Sequence, residues 1–278
     1  MAFYQCSSLT NVTISDSVTT IGKSAFSNCS SLTSVTIGDS VTTIGNSAFW
    51  ACDSLTSITI PDSVTTIGNY AFHKCDSLAS VTIPDSVTAI GEMAFSQCSS
   101  LTNVTIGDSV TTIGEAAFAQ CTNLVEFNGK FVSEDGRCLI VDGTLNSFAI
   151  GCGATEYTIP DSVTTIGKDA FWACDSLASI TIPDSVTTIG KWAFAFCDSL
   201  TSITIPDSVT TIGEMAFYYC SSLTSVYCKV ITPPSLGSEV FYSNGSGRKI
   251  YVPAASVEAY KSAEYWSKYA DAIVGYNF

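Results

Sequence analysis

The chain has 278 residues, a net charge of −14 and 13% charged residues, about half the charged share of an ordinary soluble domain. Its 11 basic residues form no stripe that would displace counterions from phosphates, which excludes a nucleic-acid-binding surface. The same scarcity of lysine and arginine argues against anionic membranes, and no apolar run is long enough to predict a membrane span. A single histidine, His73, excludes mechanisms that need two histidines.

Cysteines recur at a fixed interval along most of the chain. Successive members differ by 23 in sequence number, except for one step of 53, which is 23 plus 30. The column consists of Cys6, Cys29, Cys52, Cys75, Cys98, Cys121, Cys174, Cys197 and Cys220. A period in this range predicts stacked units that bury a hydrophobic core only together.

Each unit is illustrated by Leu55–Cys75, LTSITIPDSVTTIGNYAFHKC. Alternating apolar residues in LTSITI predict a short half-buried strand, and Pro-Asp-Ser predicts a turn. The SVTTIG segment predicts a second short extended segment that ends at Gly68. Ala71, Phe72 and Cys75 then follow i, i+1, i+4 spacing, which predicts a short helix with one face on the core. The unit is therefore a strand, a turn, an extended segment and a helix.

The one longer interval predicts an insert within the repeats. Asp135-Gly136 is a two-residue hairpin signal between Phe131–Glu134 and Arg137–Ile140, and Asp142-Gly143 marks a second turn. The insert is either a recognition loop or only a longer coil.

Both ends depart from the repeat. At the C-terminal end, a helical stretch from about Ser256 to Ile273 is predicted to cap the exposed core, as solenoids require. The chain begins halfway through a unit, so we expect a fragment preceded natively by further repeats or a signal segment. We predict repeats over residues 1–125 with a truncated first unit, the hairpin-containing insert over 126–156, repeats over 157–228 and a helical cap over 229–278. Together they are expected to form one continuous domain.

The repeat L-x-x-I-x-I-P-x-S-V-T-x-I-G-x-x-A-F-x-x-C resembles the BspA-type leucine-rich repeat of bacterial surface proteins. The resemblance covers residues 1 to about 228, and the closing IYVP-x-x-SVEAYK wording is similar to the C-terminal end of Bacteroidetes members. It implies an α/β repeat solenoid, a right-handed leucine-rich-repeat superhelix. It also implies a secreted or cell-surface location, with the signal or anchor outside this chain, and adhesion to host matrix proteins or other cells.

No unit stands out as a catalytic, cofactor or metal site. The repeat cysteines are read as buried packing thiols because each is alone in its unit, whereas zinc sites pair their ligands. Cys138 and Cys152, outside the column, are open to pairing with each other. His73 occupies an interchangeable slot and is predicted to face solvent. An aspartate column from Asp16 to Asp207 is read as turn capping, with calcium binding as the alternative.

Variation between units points to binding, because packing does not explain it. The two residues after the repeat glycine and the two after the repeat phenylalanine vary, and many are aromatic. The candidate partner-binding residues are Trp50, Tyr70, Trp172, Trp192, Phe196, Tyr218 and Tyr219. We predict a non-enzymatic protein-interaction or adhesion module without cofactors. The alternatives are a glycan-binding surface protein that uses the same aromatics, and a purely structural spacer.

Overall fold

The computed structural model describes residues 2–278, and Met1 of the truncated first unit lies outside the described residues. The described chain divides into two compact units. Unit 1 runs to Val141 and includes Asn146–Cys152, whereas unit 2 consists of Asp142–Leu145 and Gly153–Phe278.

Unit 1 is a stack of turns in which a strand of four residues is followed by a strand of two. The four-residue strands are Asn11–Ile14, Ser34–Ile37, Ser80–Ile83, Asn103–Ile106 and Glu126–Gly129. The two-residue strands are Thr20–Ile21, Thr43–Ile44, Thr66–Ile67, Ala89–Ile90 and Thr112–Ile113. The segment 55–60 keeps Leu55, Ile58 and Ile60 buried but is not a regular strand.

Unit 2 repeats this arrangement and ends in the C-terminal cap. Its longer strands are Glu156–Thr158, Ser179–Thr181, Ser202–Ile205, Ser225–Cys228, Lys249–Pro253 and Ile273–Tyr276. Its two-residue strands are Thr165–Ile166, Thr188–Ile189, Thr211–Ile212 and Ser235–Leu236.

Neighbouring turns pair in parallel, one repeat apart in register. Val12 pairs with Val35 in unit 1, and Ile203 pairs with Val226 in unit 2, in each case with the same slot of the following repeat. A parallel ladder of this kind uses each backbone group between turns, and side chains alternate between core and solvent. The repeat solenoid predicted from the period is therefore confirmed.

Phenylalanines one repeat apart stack in parallel inside each unit. Ring centroids are 5.0 to 5.3 Å apart from Phe26 to Phe118 in unit 1. They are 5.0 to 5.6 Å apart from Phe171 to Phe241 in unit 2. Such aromatic pairs contribute about 0.5–1.5 kcal/mol each beyond their buried area, so repetition of one residue builds much of the core.

The cysteine column lies beside the phenylalanines, and eight of its nine members are buried, with Cys6 exposed. Most of the buried thiols also have a polar role, because they donate to a phenylalanine carbonyl of the preceding unit. Cys98 Sγ lies 3.2 Å from the Phe72 oxygen, and Cys52 Sγ lies 3.3 Å from the Phe26 oxygen. Burial raises the pKa of the Cys52 thiol to about 12 and so keeps it protonated. The predicted packing role is confirmed, with hydrogen bonding added.

The short helix predicted in each unit is wrong, because this segment is a run of β-turns. Tyr70 and Lys74 have left-handed backbones, with φ of 57° and 61°. The Lys74 N–H donates to the Ser96 oxygen of the next turn (3.0 Å), whereas the Cys75 N–H closes a local turn onto the Phe72 oxygen (3.2 Å). A helix directs every N–H along its own axis and would leave the next turn unbonded. The i, i+1, i+4 apolar spacing fits both arrangements.

Left-handed residues therefore form two columns in each unit. The first is Ser24, Ser47, Tyr70, Met93, Ala116, Asp169, Trp192, Met215 and Glu239, and the second is Gln5, Asn28, Ala51, Lys74, Gln97, Gln120, Ala173, Phe196, Tyr219 and Ser243. The described residues place no glycine in either column, although glycine adopts this conformation without strain.

The insert contains strands Cys138–Val141 and Thr144–Phe148 and a 3₁₀ turn at Ile150–Cys152. The predicted hairpin at Asp135-Gly136 is confirmed, because Val132 and Leu139 form an antiparallel bridge. Leu139 is fully buried and belongs to the core of unit 1. Cys152 carries a free thiol, so the pairing with Cys138 considered from the sequence is not formed.

The C-terminal cap is shorter in helix than predicted. An α-helix at Val257–Ser262 ends before Tyr265, whose φ is 58°, and a 3₁₀ segment follows at Trp266–Ala272. Trp266 is buried, and its Nε1–H donates to the Pro234 oxygen at 2.8 Å. This bond ties the broken helical segment to the last turn of unit 2. A 3₁₀ turn at Ala254–Ser256 precedes the helix.

Candidate functional site

The surface formed by the β-turn segments, between the repeat glycine and the repeat cysteine, is called the turn face below. On unit 2 it carries an aromatic cluster of six side chains. The aromatic cluster consists of Trp172, Trp192, Phe196, Tyr218, Tyr219 and Tyr242, with neighbouring ring centroids 4.6 to 5.9 Å apart. Five of the seven residues predicted from the sequence are thus brought together.

The turn backbone explains why these rings lie outside the core. Trp192 and Phe196 are left-handed, with φ of 59° and 61°, and flank the fully buried residues 193–195. The Phe196 N–H bonds the Tyr218 oxygen of the next turn at 2.8 Å, which fixes the separation of the two rings. Ring spacing in the cluster is therefore set by the ladder between turns.

Most contacts in the cluster are edge-to-face or tilted. Trp192 meets Tyr218 at an interplanar angle of 68°, and Trp172 meets Phe196 at 61°. Tyr219 and Tyr242 are the most accessible members, at 41% and 50% exposure. The cluster thus offers ring edges and hydroxyls on a preformed surface, since most ring faces are occupied by neighbours.

Charged groups border the cluster. The Lys191 ammonium lies 2.6 Å from a Glu214 carboxylate oxygen, and this hydrogen bond lowers the pKa of Glu214. Partial burial raises the pKa of Tyr218, and the nearby Tyr219 and Glu239 act in the same direction. The phenol of Tyr218 therefore stays protonated and remains a hydrogen-bond donor.

Trp50 and Tyr70, the other two predicted residues, lie in unit 1 around His73. Trp50 stacks with the imidazole at 6.3 Å, and Tyr70 meets it edge-on at 5.8 Å. The solvent-facing position predicted for His73 is wrong, because these rings leave it only 8% exposed. Burial, assisted by the charge of Lys74, lowers the pKa of His73 to about 4.

The aspartate column bonds along the stack in two places. The Asp39 N–H donates to an Asp16 carboxylate oxygen at 2.9 Å, and the Asp108 N–H donates to Asp85 at 2.8 Å. In both places a glycine, Gly38 or Gly107, precedes the donor. These two bonds join neighbouring turns, and capping of its own turn by each aspartate stays a prediction. Over residues 2–278, His, Cys, Asp and Glu side chains form no group of three or more placed to hold a metal.

A second aromatic group was missed from the sequence. Outward-facing residues of the longer strands form the strand face, which on unit 2 carries Tyr227, Tyr251, Tyr276 and Phe278, here the tyrosine ladder. Tyr227 and Tyr251 stack at 4.8 Å and 13°, and Tyr276 abuts both at 5.7 and 5.5 Å. The one available signal was Tyr227, the aromatic residue that interrupts the column of threonines on the preceding turns.

The turn-by-turn motif and the parallel ladder decide the family. A family description of the BspA type leucine rich repeat region matches in six copies, over residues 1–125 and 145–268. The chain belongs to the BspA-type leucine-rich repeat family. No curated protein matches this BspA-type chain.

Solved structures of bacterial leucine-rich repeat proteins share the fold. A leucine-rich repeat protein from Eubacterium ventriosum is 27% identical with a TM-score of 0.71, and the match covers 88% of this chain and 66% of that one. A leucine rich cell surface protein from Faecalibacterium prausnitzii is 27% identical with a TM-score of 0.53, over 96% and 78% of the two chains. The BspA-type chain thus spans just under two thirds of the Eubacterium protein. None of its described helices has the length and apolarity to cross a membrane.

Proposed function

We propose that the protein is a non-enzymatic bacterial surface module that binds protein partners through the aromatic cluster of unit 2. The observation that supports this most strongly is the contiguity of six partly exposed aromatic rings on one face. Tyrosine and tryptophan are enriched among the residues that dominate protein interfaces, because they bury large areas at a low entropic cost.

Ring geometry favours a protein over a glycan at this cluster. A sugar stacks on an open aromatic face, whereas Trp192 and Tyr218 meet edge to face at 68°, so that the edge of one ring occupies a face of the other. A protein partner needs apolar edges beside hydrogen-bond donors, which Tyr219 and Tyr242 supply at the accessible side of the cluster.

The expected partners are host extracellular-matrix proteins or the surface proteins of other cells, and the expected location is extracellular or on the cell surface. The Faecalibacterium neighbour, described as a cell surface protein, supports the location. The net charge of −14 favours partners with a basic contact surface, and attraction of that kind weakens as salt screens it.

The class of partner is tested by two panels run on the same purified chain. One panel carries fibronectin, laminin and collagen, and the other is a glycan array. We expect saturable binding on the protein panel that weakens in Tyr219→Ala/Tyr242→Ala by at least about tenfold. If the chain binds glycans and that variant loses this binding, the cluster is a glycan-binding site and not a protein-binding one. Absence of binding on both panels would favour the third alternative, a purely structural spacer.

A further inference from the structure

The strand face of unit 2 contains a groove of about 770 Å³ beside the tyrosine ladder. Hydroxyls from Thr158, Thr181 and Thr204 line its floor, and Asp161, Asp184 and Lys229 line its sides. Because the floor repeats once per turn, like groups recur about every 4.8 Å along the groove.

The charged groups of this groove are available to a ligand. Within the described chain, the carboxylates of Asp161 and Asp184 and the ammonium of Lys229 make no ion pair or side-chain hydrogen bond, and all three residues are exposed. The two carboxylates accept hydrogen bonds and the ammonium donates them. Because charges of both signs are present, the groove does not strongly favour a ligand with a charge of one sign.

Tyr227 lies next to the groove, beside the lining residue Thr204, and is not itself part of the lining. Thr204 is the register partner of Tyr227, and Lys229 extends from the same side of that strand. One face of Tyr227 stacks on Tyr251 at 4.8 Å, while on the groove side the neighbour is the short Thr204, which does not cover a phenol ring. A flat ligand lying over Thr204 would continue the stack.

We propose that this groove binds a neutral oligosaccharide, with one sugar ring stacked on Tyr227 and its hydroxyls bonded to Asp184 and Lys229. Vicinal sugar hydroxyls both donate and accept, which suits carboxylates, an ammonium and threonine hydroxyls together. Most of the lining residues are polar, with Ile180, Ile182 and Pro183 as the apolar members, and this composition favours a ligand rich in hydroxyls over an apolar peptide side chain.

Unit 1 contains a matching groove that lacks both special features. Its volume is about 720 Å³, and it is lined by Asp62, Asp85 and Asp108. Asn128 is the register partner of Thr105, in the place that Tyr227 holds beside Thr204. The adjacent aromatic ring thus distinguishes the two grooves.

The neighbouring lysine differs as well. The Lys130 ammonium of unit 1 donates to the Asp108 backbone oxygen at 2.9 Å and lies 5.1 Å from the Phe131 ring. Among residues 2–278, the Lys229 ammonium of unit 2 has no partner of either kind. The adjacent aromatic ring and the available ammonium are therefore specific to unit 2, which assigns the ligand to that groove.

The proposal is tested by saturation-transfer NMR and calorimetry on the full chain with hexasaccharides of glucose, mannose, galactose and N-acetylglucosamine. We expect at least one to bind, with a loss of affinity of tenfold or more in Tyr227→Thr and in Asp184→Asn. Tyr227→Thr places at this position the residue that most other repeats carry, and far-UV circular dichroism and the melting temperature check that the cap stays folded without the ring contacts to Tyr251 and Tyr276. Asp85→Asn is the matched control in unit 1 and should bind normally.

Two results would overturn the proposal. One is no binding of any hexasaccharide at millimolar concentration by the folded chain. The other is binding that survives both Tyr227→Thr and Asp184→Asn, or that Asp85→Asn reduces equally. Selection of peptides by the groove from a peptide library, blocked by Tyr227→Thr, would replace the oligosaccharide with a peptide. These outcomes are independent of the turn-face cluster, since Tyr227→Thr leaves all six of its residues in place.

Discussion

Replacing Ala51 and Ala173 by glycine should leave the fold as stable as before or slightly more stable. Both alanines occupy the left-handed column, with φ of 53° and 55°. An L-residue in this conformation carries a penalty of about 1–2 kcal/mol, which glycine removes. Glycine adds about 0.5–1 kcal/mol of backbone entropy cost, and each half-buried methyl is worth up to about 0.4 kcal/mol. The net change is a stabilisation of about 0–1 kcal/mol per position.

The matched control is Ala79→Gly/Ala178→Gly. These exposed alanines occupy another position of the repeat and have ordinary φ values. Their backbone N–H groups donate to the carbonyl oxygens of Thr56 and Thr155 in the preceding turns. Glycine there removes no strain, so a loss of about 0.5–1 kcal/mol per position is expected. The free energy of unfolding from guanidinium titration measures both pairs. Equal destabilisation by both double variants, by about 1 kcal/mol per site as in a helix, would refute the turn architecture.

Three further predictions rest on buried side chains. Under native conditions a thiol reagent should label Cys6 and Cys152 alone among the twelve cysteines, as read by mass spectrometry, because the other ten are buried. Cys98→Ala should cost about 1–2 kcal/mol of unfolding free energy through a lost buried sulfur and its bond to Phe72. Cys6 occupies the same repeat position but is exposed, so Cys6→Ala should change the unfolding free energy by less than about 0.5 kcal/mol. Because the pKa of His73 falls from 6.5 in the unfolded chain to about 4 in the folded one, the free energy of unfolding should decline as the pH drops from about 6.5 to 4. Chemical denaturation at pH 7 and pH 4 should show that the unmodified chain loses on the order of 1–2 kcal/mol more than His73→Gln, after solvent screening is allowed for. Labelling of buried column cysteines would contradict the first prediction, and equal losses of stability in Cys98→Ala and Cys6→Ala would contradict the second. The third would be contradicted if His73→Gln showed the same dependence of stability on pH as the unmodified chain.

Most of the fold was predicted from the 23-residue period of the sequence. A strict repeat requires parallel neighbours one unit apart, and the observed pairing of Val12 with Val35 follows from it. The hairpin at Asp135-Gly136 was equally local, because its turn needs one residue with a left-handed backbone, which Gly136 supplies with φ of 74°. Features set by a short stretch of sequence were therefore predictable.

Other features depend on bonds between turns that apolar spacing does not report. The turn segment was mistaken for a helix because Phe72 and Cys75 point inward in either case, and the difference lies in the left-handed backbone of Lys74 and in its bond to the next turn. His73 was placed in solvent because its slot varies between units, yet the rings of Trp50 and Tyr70 cover it.

The two aromatic groups differ in how far sequence predicted them. Five members of the turn-face cluster share repeat slots, so their neighbourhood follows from the period. The tyrosine ladder was hidden because the spacing of Tyr227, Tyr251 and Tyr276 in the cap departs from the repeat period. Register in the folded sheet, and not distance along the chain, brings Tyr227 and Tyr251 together.

The most direct test of the proposed function compares two matched double variants on the protein that the matrix panel identifies. Trp172→Ala/Trp192→Ala removes two rings of the aromatic cluster, whereas Trp50→Ala/Tyr70→Ala removes aromatics from the same repeat slots in unit 1. Surface plasmon resonance should show a rise in Kd of at least about tenfold for the first pair and less than about twofold for the second. Equal affinities for both double variants and the unmodified chain would contradict binding through the aromatic cluster.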